Sequence, residues 1–280
     1  MPGVHIVTDS SSDLTAEDLK ELDVEVVPLT VRFGNEEFTD GLDLTVADFY
    51  NRMAAADDLP QTACPPPGAF EQAFVRAGEA GADAVVCLNL SSDLSNTLQS
   101  AQTASAALGT DLPVHVVDSR SVSSGLGTIV LEAARAAKAA ADVDTVLAKV
   151  RALVPRTHVI AALSTLENLK KGGRIGGAKA MLGSMLAVKP VIDITGGEVH
   201  EAGKPRTRRK AMHLLYERMQ AAGAIDHVAV MHGGAPDIGE FLDLIAERFP
   251  RESIRLGQLG AIIGTHGGAE IIGVSWLAGA

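Results

Sequence analysis

The sequence predicts an α/β protein of two domains, residues 1–155 on a mostly parallel sheet and residues 156–280 on a mixed one. Three times in the first half, a short apolar run passes through a Ser- or Asp-rich turn into a helix-forming stretch. That alternation is the βαβ signature of a parallel sheet whose functional edge lies at the strand C-termini. After Arg156 the texture changes: helices shorten, glycines cluster and basic residues gather. Hydrophobic residues make up 46% of the 280 but aromatics only 4%, so the core rests on Ala, Val, Leu and Ile. Branched side chains of this size suit sheet faces.

The elements follow in order. Residues 4–8 form a strand ending in Asp9-Ser10-Ser11-Ser12-Asp13, and 16–22 a helix with Thr15 and Asp18 spaced as a capping box. Residues 24–33 are β-rich, with a hairpin turn at Gly34-Asn35, and Thr45 can cap a helix containing Phe49, Tyr50 and Met53. Gln61 to Pro67 is expected as an extended connection, since Pro65, Pro66 and Pro67 forbid a helix interior. A helix over 68–80, a buried strand over 84–90, a Ser-rich turn over 91–97 and a helix ending near Leu108 come next. Residues 114–117 make a strand closed by Asp118-Ser119, and an Ala-rich helix runs over about 125–141. In the second half, 159–162, 188–194, 228–231, 254–259 and 271–276 read as strands.

The net charge of −11 argues against nucleic acid, whose binders must neutralise phosphates. The charge is uneven. Between Asn168 and Lys210 ten Lys or Arg stand against three Asp or Glu, a local +7 that leaves −18 elsewhere. Cys64 and Cys87 are too few for a disulfide framework, and no metal-type spacing occurs. The start, Met1-Pro2-Gly3-Val4-His5, lacks the basic and apolar regions of a signal peptide, and no apolar run reaches about 18 residues. A soluble, cytoplasmic protein without a membrane segment or cofactor is expected.

Four segments can carry chemistry. Ser91-Ser92-Asp93-Leu94-Ser95-Asn96-Thr97 sets hydroxyls at a strand end before a helix N-terminus, where they can cap the helix or meet an anion. Thr62 precedes the proline run on a stretch with little entropy left to lose. Leu169-Lys170-Lys171-Gly172-Gly173-Arg174-Ile175 reads as a helix C-terminus, or as a close-approach site for an anion or acidic partner. His266, between glycines in Gly264-Thr265-His266-Gly267-Gly268, reads as a strand-end loop histidine able to donate to a carboxylate, and His232-Gly233-Gly234 has the same texture. The Gly172–Lys179 string fails as a P-loop because Ala178 and Ala180 break the pattern. There is no nucleophile elbow and no Gly-x-Gly-x-x-Gly after the first strand. Asp9 lacks the second Asp that an aspartyl-phosphate site wants, because Ser11 stands there.

Taken in order, Thr8 to Asp13, Thr62 before Pro65, Ser91-Ser92-x-Leu94-Ser95-x-Thr97-x-Gln99-Ser100-Ala101, Asp118-Ser119 and the Leu169 to Ile175 motif resemble the DegV family. So do Lys189-Pro190-Val191-Ile192, Arg206-Thr207 and Ile263-Gly264-Thr265-His266. The resemblance implies a bacterial protein that binds a long-chain fatty acid such as hexadecanoate between two α/β domains. It implies no enzyme activity of its own, but a partnership with a fatty acid kinase that makes the acyl phosphate for phospholipid metabolism. Carried over by position, Thr62 and Ser95 would hold the carboxylate, with Ser92, Asn96 and His266 nearby, while Arg174, Lys170 and Lys171 would face the kinase.

Three departures accompany it. Asn96 stands where the family usually has Gly, Ala63 where it often has Ser, and Gly267-Gly268-Ala269 where a Thr-Gly-Pro-like tail follows the His. Two readings stay open beside the carrier. One is a phosphotransferase with nucleotide at the Gly-rich basic segment, the other a carrier of a different apolar acid.

Overall fold

The structure, a computed structural model, describes residues 3–109 and 112–279; Met1 and Pro2, part of the start read above, lie outside the described residues. The first half contains β1 (Val4–Asp9), α1 (Ala16–Leu22), β2 (Val24–Val27), β3 (Thr30–Phe33), β4 (Glu36–Thr39), α2 (Val46–Ala55) and β5 (Gln61–Ala63). It continues with α3 (Pro67–Glu79), β6 (Ala84–Asn89), α4 (Thr97–Ala107), β7 (Val114–Asp118), α5 (Ser123–Lys138) and α6 (Val143–Leu153). The second half contains β8 (Thr157–Ala162), α7 (Glu167–Lys171), β9 (Val191–Asp193), β10 (His200–Gly203), α8 (Arg208–Ala221), β11 (Ile225–His232), α9 (Ile238–Ala246), β12 (Arg255–Gln258), α10 (Ala261–Gly267) and β13 (Ile272–Ala278).

The fold is α/β, with the expected pair of sheets. One is wholly parallel, in the order β2-β1-β6-β7. The other is mixed, in the order β10-β9-β8-β13-β11-β12, with β11 and β12 its parallel pair. A small antiparallel sheet, β4-β3-β5, stands apart. The parallel and small sheets use no residue after Asp118, and the mixed sheet none before Thr157. Ile6, Val86, Leu88, Leu126, Ile129, Val130, Val159, Ala161, Ile192 and Leu277 belong to one buried cluster, so the two main sheets share a core. Between them runs α5, whose Ser123 to Leu131 stretch is buried without interruption. A helix covered on every side has no polar face to keep, which accounts for its Ser-Ser-Gly-Leu-Gly-Thr-Ile-Val-Leu composition.

The structure corrects several sequence expectations. The β-rich stretch divides between sheets, because β2 pairs with β1 whereas β3 pairs with β4 and β5. The extended connection before the prolines is itself a strand, β5, with Thr62 opposite Val31. The Ala-rich helix forms as α5, and a further helix that the sequence reading did not include, α6, follows it, capped by the Asp142 side chain. His266 lies not on a loop but in the last turn of α10. The capping box at Thr15 and the cap at Thr45 form as read, each hydroxyl accepting from the N–H three residues on.

One ion-pair hub ties α5, α6 and β11. Glu132 accepts from Arg135 and Lys149 at 2.6 Å each, with His227 at 3.3 Å. Burial pushes its carboxyl up, but the bonds and charge of Lys149 and Arg135 outweigh that and bring it down to about 2. Its folded value lies below the ordinary value of 4.5, so its stabilisation is whole above about pH 4.5 and is lost as pH falls toward about 2. Glu132→Gln is expected to lower stability at neutral pH by about 1–2 kcal/mol, a figure kept small by solvent screening. Urea melts of both proteins between neutrality and about pH 3 check this: the difference should shrink with acidification.

Candidate functional site

A cavity opens where the two halves meet. From the first half come Leu29, Thr62, Cys64, Leu90, Leu94, Ser95 and Val122; from the second come Leu169, Arg174, Ile192, Ile194, Val199, Ile262, Ile263, His266 and Ile271. It holds only about 90 Å³ of open space. Walls that close together describe a slot rather than a chamber. Its lining is aliphatic along most of its length, and its polar groups are Thr62, Ser95, Arg174 and His266.

Each polar residue is held by a different element. β5 fixes Thr62 through its pairing with β3. Ser95 stands in the turn before α4, which reaches back to the proline loop when the Ser100 hydroxyl donates to the Pro65 carbonyl at 2.5 Å. That bond ties the Ser95 turn to the segment carrying Thr62. The Ser95 hydroxyl lies 2.9 Å from that of Thr97 and accepts the Thr97 N–H at 3.3 Å, so the capping reading of this turn is real as well. Arg174 crosses the junction: its Nε donates to the Leu94 carbonyl at 3.0 Å and its Nη1 to the Gly172 carbonyl at 2.7 Å. A guanidinium has five N–H donors, so three remain, and no acidic side chain among the described residues pairs with it.

His266 Nε2 lies 3.0 Å from Thr62 Oγ1, while its Nδ1 is buried without a partner. Burial, reinforced by the Arg174 charge, brings the imidazole down to about 4, so it is neutral at physiological pH. One ring nitrogen then carries the proton. A buried N–H without an acceptor costs more than a bare acceptor lone pair, so the proton belongs on Nε2. It follows that Nε2–H donates to the Thr62 oxygen and turns the Thr62 hydroxyl hydrogen away from the ring, ready for an acceptor in the slot. Gly172 makes the arrangement possible: a Cβ there would stand 2.4 Å from Nδ1.

Other expected site residues sit elsewhere. Ser92 is exposed, and its hydroxyl is spent on Asp118 at 2.6 Å, so it does not line the slot. Asn96 is exposed at the start of α4, also outside the lining, with no side-chain capping bond. Lys171 joins Arg32, Asp58, Gln61, Asn168, Thr62, Arg174 and His266 around an open bowl outside the slot, about 670 Å³ in volume, whereas Lys170 is exposed and lines neither. Most amides of the Gly-rich segment are already spent. The N–H groups of Gly172, Gly173, Arg174, Gly177 and Ala178 donate to carbonyls of Asn168, Lys170, Leu169, Val199 and Ile175, which weighs against a phosphate cradle there. Asp9 is fully buried and accepts from Ser11, Asn89 and Leu90, a strand-end tie rather than a nucleophile. Sequence reasoning missed the aliphatic lining altogether, because Leu90, Val122 or Ile194 looks like any other core residue.

A family model for the uncharacterised proteins of the DegV family matches residues 3–279. The chain is 34% identical over 281 residues to a DegV domain-containing protein of Halalkalibacterium halodurans, covering 99% of each. It is 35% identical over 275 residues to one from Streptomyces coelicolor, covering 97% of each. Among solved structures, the fatty-acid-binding DegV family protein of Thermus thermophilus superposes with a TM-score of 0.91 at 32% identity over 99% of both chains. A stearic-acid-binding protein from Eubacterium ventriosum gives 0.88 at 26% identity, covering 99% of this chain and 98% of that one.

The hydrogen-bond polarity is open to direct test. A long-range ¹H–¹⁵N spectrum of His266 should show protonated Nε2 and bare Nδ1 from about pH 8 down to about pH 5; the opposite pattern would reverse the assignment. Gly172→Ala should displace the ring and break the Thr62 contact, seen as a change in the same ring signals, with little effect on the melting of the rest of the chain.

Proposed function

The chain belongs to the DegV family, and from that premise we propose that it binds a long-chain fatty acid in the slot and offers the carboxylate at the Thr62–Ser95–His266–Arg174 end to a separate fatty acid kinase. The observation that carries this reading is the polarity of the slot: aliphatic walls ending in two hydroxyls, a neutral imidazole and a guanidinium without an acidic partner. The fatty-acid binding of the Thermus thermophilus and Eubacterium ventriosum proteins supports it.

The energetics agree. Burying a hexadecanoate-sized tail of about 14 methylenes returns roughly 11 kcal/mol at about 0.8 per methylene. Association takes back on the order of 4–15 kcal/mol. Charge-assisted bonds from Thr62 and Ser95 add about 1.5–3 kcal/mol each at most. The tail therefore supplies most of the affinity and the head group supplies orientation. A carboxylate brought here must be hydrogen-bonded or neutralised. The Thr62 hydroxyl, turned outward by His266, and the spare Arg174 donors meet that need while leaving an oxygen free to be phosphorylated.

No general base or nucleotide cradle is among the residues of the site, so the phosphoryl group is taken to come from the partner. The bowl outside the mouth, with Arg32, Lys171 and Arg174 on its rim, suits docking of an acidic surface or screening of donor phosphates. No helix among the described residues is long and apolar enough to cross a membrane.

Native mass spectrometry of the purified chain, followed by denaturing extraction, is expected to yield about one long-chain fatty acid per protein. Thr62→Ala/Ser95→Ala should weaken hexadecanoate binding by about a hundredfold or more without unfolding. A chain that stays empty when offered fatty acids would end the proposal, and extraction of a different apolar acid would redirect it. Lys171→Glu, on the bowl but outside the slot, is expected to slow phosphorylation by an added kinase while hexadecanoate stays bound. Equal loss of both would remove the division of labour.

A further inference from the structure

The helix that carries His266 is held at its start by carboxyl groups from the other half of the chain. Asp13 lies in the turn after β1, with φ of +50°. Its Oδ1 accepts the Gly260 N–H at 2.9 Å and its Oδ2 the Ser123 hydroxyl at 2.5 Å. The buried Asp40 carboxyl stands beside it, where the Ser10 hydroxyl and the Ala261 N–H favour its charged form. Two acids remote in sequence thus stand at the N-terminus of α10, one of them bonded to its cap amide. From the same helix Ile262, Ile263 and His266 face the slot. The helix is pressed onto α2 as well: a Cβ at Gly264 would stand 2.6 Å from the Phe49 ring and 2.8 Å from the Tyr50 hydroxyl, and that hydroxyl donates to the Leu259 carbonyl at 3.3 Å.

We propose that Asp13 is a positioning residue for the head-group end of the slot, anchoring α10 and through it His266, and that its protonation makes the closure of this helix depend on pH. The groups facing Asp13 are Asp9 from β1, Asp40 from the turn after β4, the Tyr50 phenol from α2, Ser123 from α5 and the Gly260 amide. No cation among the described residues pairs with any of the three acids. A cleft of about 480 Å³ lined by Asp13, Asp40, Gly260, Leu14, Leu42 and Val46 borders this end of the helix.

The sign follows from burial. Burial raises Asp13 from 3.8 to about 7; the bonds from Ser123 and Gly260 oppose this, and the charges of Asp40 and Asp9 add to it. Lifting α10 would expose the carboxyl and return it toward 3.8. The closed state therefore binds the proton more tightly, so closure is favoured on the acid side and weakens as pH rises through about 7. For those two values the linkage bounds the change between about pH 5.5 and about pH 8.5 near thirtyfold. His266, at about 4, titrates below this window.

The test is amide hydrogen exchange of the full chain, read at residues 261–267 and corrected for intrinsic base catalysis, with α3 as internal reference. Wild type should lose protection, by up to about thirtyfold, between about pH 5.5 and about pH 8.5. Asp13→Asn should lose most of that dependence, and Asp40→Asn should keep it with the midpoint moved to lower pH. A flat wild-type profile, an Asp13→Asn profile as steep as wild type, or a dependence abolished by Asp40→Asn alone would overturn the proposal. Should Asp13→Asn fail to fold, the ¹³C titration of the wild-type Asp13 carboxyl decides: co-titration with the exchange profile supports the anchor, and a midpoint in the ordinary carboxylate range overturns it. The consequence for ligand retention rests on the fatty-acid reading, and is measured as the hexadecanoate off-rate over the same range. A chain that shows the exchange profile but binds no hexadecanoate keeps the anchor and loses the carrier.

Discussion

A helix that begins inside a protein must find acceptors for its first amides, and this requirement at α10 organises the site. The preceding chain offers no local cap, since Gly260 has no side chain. The Gly260 amide finds its acceptor in Asp13 instead, with Asp40 beside it, both on turns that follow strands of the first half. Supplying that acceptor brings two sheets with no strand in common against each other at one point. His266 is carried one helix length from that point to Thr62, and Gly172 is small enough to let the ring pass. The polar end of the slot is thus a product of how the halves are tied.

The same junction explains which parts were legible in the sequence. Strands β1, β6 and β7 and the helices after them could be read because an apolar run, a hydroxyl-rich turn and a helical stretch are adjacent in the chain. The Thr15 and Thr45 caps were legible for the same reason, since cap and helix share four residues. Helix α10 was not. Its cap lies more than 200 positions away, and its Ala-Ile-Ile-Gly-Thr sequence reads equally well as a strand end. β5 was hidden by three prolines, which exclude helix but say nothing of whether Gln61 to Ala63 pair with β3. Thr62, Ser95, Arg174 and His266, picked out along the sequence, do converge on the slot. Ser92 and Asn96, picked out beside Ser95, do not, because the turn points one hydroxyl inward and hands the next to Asp118.

The polar end works by balance. A cation paired with an acid there would be satisfied already and would have nothing to give; Arg174 is anchored by carbonyls, so it keeps its charge and three donors. A protonated imidazole would add a second positive charge, but burial and Arg174 together keep His266 neutral. The result is one fixed cation, one oriented hydroxyl chain and a serine that doubles as a helix cap. Buried polar groups of this kind are stable only when nearly all their bonding capacity is used. The unused capacity, the Arg174 donors and the Thr62 hydrogen, faces the slot and its mouth.

Arg174 reaches across the junction to the backbone of Leu94, not to its side chain. Every residue type has that carbonyl, so the bridge survives any replacement at position 94 that keeps the turn, while the side chain there lines the slot. Selection can therefore reshape the cavity wall at this position without loosening the clasp that closes it. A lineage could drift from one ligand shape to another through neutral steps, with the electrostatics of the mouth inherited unchanged.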